Sequence, residues 1–169
     1  MAPPTSPSAV SEQHADPELE GIIPSQIDGD PVEVQSVQAL AFALLLPEGS
    51  DARQRFDRFL SETGVDPASV TMAFATWRRE GGPLGFQALR GPRSRPDRML
   101  AAAVYFARVS QPDPSDVSID ATRLGGKDVT VIRPGDGSVP TWVYPRGEVI
   151  FLVSGDEATV VPILEALPF

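Results

Sequence analysis

Apolar and polar residues alternate in short runs along most of this chain, and the period of alternation changes repeatedly. Pro31–Val37 alternates through Val32, Val34 and Ser36, a two-residue period that predicts a strand. Ser36 is expected to cap a helical turn or two running through Leu46 and stopped by Pro47. Ser50 is a good N-cap for the next helix, in which Ala52, Phe56, Phe59, Leu60 and Thr63 share one face. Gly64 supplies its stop, and Asp66–Pro67 makes a turn. Two strand-like runs follow, Val70–Arg78 and Leu84–Arg90, joined by Glu80–Gly81–Gly82–Pro83. Ser94 and Asp97 then read as a capping box with Pro96 in the first turn. Met99, Leu100, Ala103, Val104 and Ala107 recur at helical spacing until Pro112–Asp113–Pro114 ends the run.

The last third returns to short alternating segments. Val117–Leu124, Asp128–Ile132, Thr141–Tyr144 and Val149–Val153 predict four strands, separated by Gly125–Gly126, Pro134–Gly135–Asp136–Gly137 and Pro145–Arg146–Gly147. Ser154 and Glu157 read as a second capping box before Val160, Val161, Leu164 and Leu167. Pro162 falls inside that helix, so a kink or a later start is expected. Strands joined by short Gly/Pro turns favour hairpins over crossovers. The expected fold class is therefore α+β: a largely antiparallel sheet of six or seven strands with three or four helices packed on it. A faint echo, Ile27-Asp-Gly-Asp-Pro-Val-Glu-Val against Leu124-Gly-Gly-Lys-Asp-Val-Thr-Val, raises a duplicated β-β-β-α unit beside chance similarity. Residues 1–18, with Pro3, Pro4 and Pro7 among Ser, Thr and Ala, show no apolar face. They are expected to form a flexible tether adding nothing to stability, ahead of a single domain over 19–169.

Composition narrows the chemistry. The 169 residues suffice for one ordinary domain and a tail. There is no cysteine, one histidine (His14) and one lysine (Lys127), so disulfides, thiolate ligands and most zinc or copper sites are excluded. No lysine or arginine precedes Arg53, while nine acids do, so the net charge of −9 lies entirely in the first 52 residues. That field repels nucleic-acid backbones and anionic lipid, and nucleic acid is not an expected partner. Neither a secretory signal over residues 1–20 nor an apolar run long enough to span a bilayer is visible, the longest being Ala39–Leu46.

Candidate sites are few. His14 falls in the tether, where no scaffold orients it for catalysis. Lys127 follows Gly125–Gly126, but Ala121 and Asp128 stand where a phosphate loop needs glycine and a hydroxyl residue, so a turn between strands is expected. The pairs Asp28/Asp30 and Asp156/Glu157 could serve a hydrolase or a hard cation. The first lacks the remaining calcium ligands, and the second suits a helix N-terminus. Residues 78–98 concentrate six arginines, Arg78, Arg79, Arg90, Arg93, Arg95 and Arg98, against Glu80 and Asp97. This is the best candidate contact surface, to be weighed against a solvated loop or pairing with the acidic first 52 residues. Trp142 and Tyr144 share one strand face; core packing is the default, and an exposed binding platform the alternative.

Several stretches carry a resemblance. They are Ile23-Pro24 with Ile27-Asp-Gly-Asp-Pro, Phe56–Leu60 followed by Gly64-Val-Asp-Pro, and Gly125-Gly-Lys-Asp-Val-Thr-Val. Tyr144, Gly147-Glu-Val-Ile-Phe, Asp156-Glu and Leu164-Glu-Ala-Leu-Pro168 continue it. Over residues 19–168 the chain resembles uncharacterised bacterial exported lipoproteins. The resemblance implies a lipid-anchored N-terminal cysteine, a tether such as Met1-Ala-Pro-Pro-Thr-Ser-Pro-Ser, and one extracytoplasmic domain in the cell envelope. The function expected is non-enzymatic binding of a protein or envelope ligand, with the membrane reached only through a removed N-terminal anchor. No cofactor, metal site or catalytic residue is expected. A carboxylate-dependent hydrolase acting on sugars or phosphates, and a cytoplasmic regulatory protein, are the alternatives.

Overall fold

Four hairpins account for every strand among the described residues. Gln26–Ile27 (β1) turns into Asp30–Gln38 (β2), and Thr71–Arg79 (β3) into Gly82–Arg90 (β4). Val117–Leu124 (β5) turns into Lys127–Pro134 (β6), and Thr141–Arg146 (β7) into Val149–Ser154 (β8). All eight join in one antiparallel sheet ordered β1-β2-β3-β4-β8-β7-β6-β5. The fold is that of a computed structural model describing residues 14–41, 46–63, 66–91, 96–109 and 114–169. Among these, the α-helices with both ends described are Pro17–Gly21 (α1), Asp51–Thr63 (α2), Pro96–Val109 (α3) and Glu157–Ala166 (α4). No described helix is long and apolar enough to cross a membrane.

Strand alternation sends residues to two cores. On one face Ala73, Ala75, Trp77, Phe86, Ala88, Val131, Trp142, Tyr144, Phe151 and Val153 lie beneath Leu19 of α1 and Val160, Ile163 and Leu164 of α4. On the other, Ile132, Val143 and Ile150 meet Met99 of α3, with Leu100, Ala103 and Val104 partly buried alongside. Helix α2 stacks outward on α3. Covering both faces explains why β7 and β8 are apolar at consecutive positions, Trp142–Val143–Tyr144 and Val149–Ile150–Phe151. Each large side chain removed from water contributes roughly 1.5–3 kcal/mol, which is what holds short helices of modest propensity in place.

Among the described residues there are eight strands, against the six or seven expected. The extra one is β1, two residues long and so below the length at which a period can be read. Three local assignments change. Ser36 is not a helix cap: it lies inside β2, fully buried. Asp156, not Ser154, caps α4, its carboxylate accepting from the Thr159 N–H at 2.8 Å. The loop between β3 and β4 contracts to Glu80–Gly81, because Arg79 already pairs with Gly82. Pro162 sits inside α4, which begins at Glu157 all the same. Val160, Ile163 and Leu164, buried on the sheet, outweigh the one backbone bond that proline removes. Ser50 does cap α2, accepting from the Arg53 N–H at 3.2 Å. Ser94, Gly64, residues 42–45 and Pro112–Asp113 lie outside the described residues.

The β5–β6 turn abuts α4. Leu124 pairs with Lys127, leaving Gly125 and Gly126 as a two-residue turn at φ 56° and 75°. A Cβ on Gly125 would stand 2.9 Å from the Leu164 Cβ of α4, whereas one on Gly126 would meet nothing within 4 Å. Gly125→Ala is therefore expected to cost about 2–4 kcal/mol, combining left-handed strain with overpacking. Gly126→Ala should cost about 1–2 kcal/mol, from strain alone. Urea unfolding of the two variants measures the difference. Equal losses would show that the turn does not press on α4.

Candidate functional site

Among the described arginines of the run, Arg78 and Arg79 lie apart from Arg90. In the β3–β4 hairpin Arg78 and Arg79 lie at the turn, while Arg90 pairs with Thr71 at the opposite end. Strands of nine residues put about 26 Å between those ends. Arg78 is exposed and donates to Glu33 of the neighbouring strand at 2.7 Å. Arg79 lays its guanidinium 5.3 Å from the Trp77 ring centroid, with its Nε buried and unpartnered. Arg98 is exposed in the first turn of α3. Arg93 and Arg95 lie outside the described residues. Trp142 and Tyr144 are both core residues. The Trp142 indole N–H donates to the Gly155 carbonyl at 2.9 Å, and Tyr144 stacks on Phe151 with centroids 5.8 Å apart.

Arg90 pairs with Asp16 and Glu18, in keeping with the alternative reading that the arginines meet the acidic first 52 residues. Asp16 caps α1, accepting from the Leu19 N–H at 2.9 Å and from the Thr71 hydroxyl at 2.6 Å. Both its oxygens also accept from the Arg90 guanidinium, which reaches Glu18 at 3.1 Å as well. The Asp16 N–H donates to the Ser36 hydroxyl at 2.8 Å, and that hydroxyl donates to Glu20 at 2.5 Å. His14 completes the chain, its Nδ1 lying 3.0 Å from Glu20. Burial pushes the Asp16 carboxyl up, but the hydrogen bonds from Thr71, Arg90 and the Leu19 N–H together hold it below its ordinary value. Residues 14–18, assigned to the tether on composition, are thus held on the sheet. The signal was present as Asp16-Pro17-Glu18-Leu19, an N-cap followed by proline at the first helical position.

A second polar cluster lies on the α4 face. Lys127, first residue of β6, is 2% exposed, and its Nζ has no hydrogen-bond partner. The Nζ stands 3.9 Å from the Phe169 ring centroid and 5.6 Å from that of Tyr144. Burial lowers the affinity of this amine for its proton, while the Glu165 carboxylate opposes the shift. Residues 168–169 lie back across the cluster: the Tyr144 hydroxyl donates to the Pro168 carbonyl at 3.0 Å. Arg146 Nε donates to the main-chain oxygen of Phe169 at 2.6 Å. Burial also raises the Tyr144 phenol, so it remains a donor at neutral pH. Lys127 stands at a turn between strands, as its glycines imply. Its burial was not legible, because a lone lysine beside a turn reads as solvated.

Asp28 lies in the exposed β1–β2 turn, and Asp156 caps α4. The Arg78 guanidinium holds the Glu33 carboxyl below its ordinary value, and hydrogen bonds from Thr159 do the same for Asp156. Among the described residues no three His, Cys, Asp or Glu side chains are grouped to hold a metal. No protein-family model matches the chain, and neither a curated protein nor a solved structure is significantly similar to it.

Proposed function

We propose that this is a non-enzymatic interaction domain, tethered outside the cytoplasmic membrane and carrying its partner on the edge of its sheet. The observation that carries the reading is strand β5. It ends the sheet, pairs only with β6 among the described residues, and exposes Ser118, Asp120, Ala121, Thr122 and Arg123 along eight residues. The other edge is partly covered: β1 pairs with Asp30 and Pro31, and the Val32 N–H and Ser36 carbonyl of β2 are taken by Ser25 and Ala15. A free edge of that length is a template for a strand from a partner, with main-chain hydrogen bonds supplying the affinity. Asp120 and Arg123 guard the edge against indiscriminate pairing; Asp120 is held by Arg133 at 2.7 Å. The envelope location rests on the resemblance to exported lipoproteins.

The strand order also supports a duplicated unit. β1–β4 and β5–β8 are arranged as if about a two-fold axis between β4 and β8, and the echoed segments form matching two-residue turns. The helices depart from that symmetry, since α3 and α4 lie on opposite faces.

Photo-crosslinking in the native host tests the assignment, with a benzophenone amino acid at Thr122 and, as control, at Glu48, exposed in the turn before α2. One discrete adduct from Thr122, absent from Glu48 and labelled by a membrane-impermeant reagent, is the expected result. Adducts equal at both positions, or confined to the cytosol, would overturn it.

A further inference from the structure

Resting on β5 as the pairing edge, we propose that the strand it receives is a second copy of this chain, joined β5 to β5 antiparallel about a two-fold axis at Ala121.

The turn after β5 decides which main-chain groups are free. Leu124 pairs with Lys127 across a two-residue turn, so that pair is the doubly hydrogen-bonded kind. By alternation Ser118, Asp120 and Thr122 also bond to β6, while Ile119, Ala121 and Arg123 turn their N–H and C=O groups outward. Two antiparallel strands related by a two-fold axis keep the same faces up, so outward residues oppose outward residues. An axis at Ala121 sets that residue against its own copy and Ile119 against Arg123 on either side, using the outward groups of all three.

Charge selects this register. Asp120 falls opposite Thr122 of the second copy, whose hydroxyl can donate to the carboxylate, and symmetry makes the contact twice. The Arg123 stem runs along Ile119 of the second copy, with its guanidinium left in water. Moving the axis to Asp120 sets carboxylate against carboxylate, and moving it to Arg123 sets guanidinium against guanidinium. Moving it to Thr122 leaves Asp120 facing Leu124 and shortens the overlap. The charge of the whole chain points the same way. Its −9 lies in the first 52 residues, of which Glu18 and Glu20 on α1 and Asp30 and Glu33 on β2 stand at the far side of the sheet. Strand β5 is neutral, Asp120 offsetting Arg123, so two copies meet there with the least repulsion. The far edge is partly covered, since β1 pairs with Asp30 and Pro31 and the Ala15 N–H donates to the Ser36 carbonyl at 3.1 Å. Pairing through β5 therefore closes at two copies instead of running on as a filament.

Sedimentation of the full chain, with single cysteines as a readout of register, tests the proposal. An eight-residue edge is smaller than a standard interface, so a monomer–dimer equilibrium with Kd on the order of 10 μM is expected. Ala121→Lys, at an exposed position, brings two ammonium groups to the axis and should weaken the dimer by about tenfold or more with Tm unchanged. The chain has no cysteine, so a disulfide formed by a single-cysteine variant joins two copies. Ala121→Cys should oxidise to a dimer well ahead of Thr122→Cys, because the axis leaves the paired positions about 5.5 Å apart at Ala121 and about 7–8 Å at Thr122. A chain monomeric at every concentration, with Thr122 adducts to a different polypeptide in the host, would overturn the second copy and leave the edge reading standing. A monomer with no discrete Thr122 adduct would remove both. Assemblies larger than two, a dimer indifferent to Ala121→Lys, or equal oxidation of the two thiols would each overturn the self-pairing.

Discussion

Asp16→Ala is expected to be among the most damaging single substitutions in this protein, despite falling in a stretch whose composition reads as a tail. The carboxylate caps α1, accepts from Thr71 and receives both arms of Arg90. Its removal leaves the cap empty and a guanidinium whose side chain is 24% exposed without its main counter-ion. Breaking a fully buried pair costs about 3–5 kcal/mol; partial access of Arg90 to water reduces this to about 2–4 kcal/mol, cap included. For a chain of this size that corresponds to a fall in Tm of roughly 5–15 °C. Asp16→Asn should lose about half as much, because asparagine still caps the helix.

The pH dependence has a definite sign. A carboxyl held below its ordinary value contributes stability in full above that ordinary value, near pH 4, and loses it as pH falls through the lower folded value. The gap between wild type and Asp16→Asn in urea unfolding should therefore be constant near neutrality and close below about pH 4. A double cycle with Arg90→Ala measures the coupling itself. If Asp16→Ala lay within about 0.5 kcal/mol of wild type at pH 7, the segment 14–18 would be shown not to hold the sheet.

Trp142→Ala is the second large effect. The indole is 2% exposed, packed between the sheet and α4, and its N–H serves the Gly155 carbonyl where the chain leaves β8 for that helix. Truncation is expected to cost about 3–5 kcal/mol through lost burial and the cavity left behind. Trp142→Phe should cost about 1–3 kcal/mol, mainly by leaving the Gly155 carbonyl without its donor. Chemical denaturation distinguishes this from a binding role. A tryptophan on an open platform would lose its ligand with stability unchanged, whereas a core tryptophan loses stability first.

Much of the sheet was legible because strand signals are local. Val117–Leu124 has the same bounds in sequence and structure, and β3, β4, β6, β7 and β8 differ from expectation by only a few residues at their ends. Period-two alternation bounded by glycine and proline needs no knowledge of the partner strand. Capping was less legible. Ser36 and Ser154 carry the right hydroxyl, but a serine on a strand satisfies the same hydrogen-bonding capacity across the sheet. Ser36 does so toward Asp16 and Glu20, and Ser154 toward Thr141.

Neither polar cluster could be read along the chain, because each joins residues far apart in sequence. Asp16 meets Thr71 and Arg90 across separations of 55 and 74 residues. Lys127 meets Phe169 only once α4 has turned back over the β5–β6 hairpin. Arg78 and Arg90 part for the converse reason. They are close in sequence, but an extended hairpin carries them to opposite ends. By itself the sequence determined the strands other than β1, most of the turns, the α+β class and the absence of cysteine chemistry, all of which depend on neighbouring residues and on composition. Only the tertiary structure decided the strand order, the pinning of residues 14–18 and the enclosure of Lys127. Those depend on which faces bury one another, and burial is a property of the assembled sheet and helices rather than of any local run of residues.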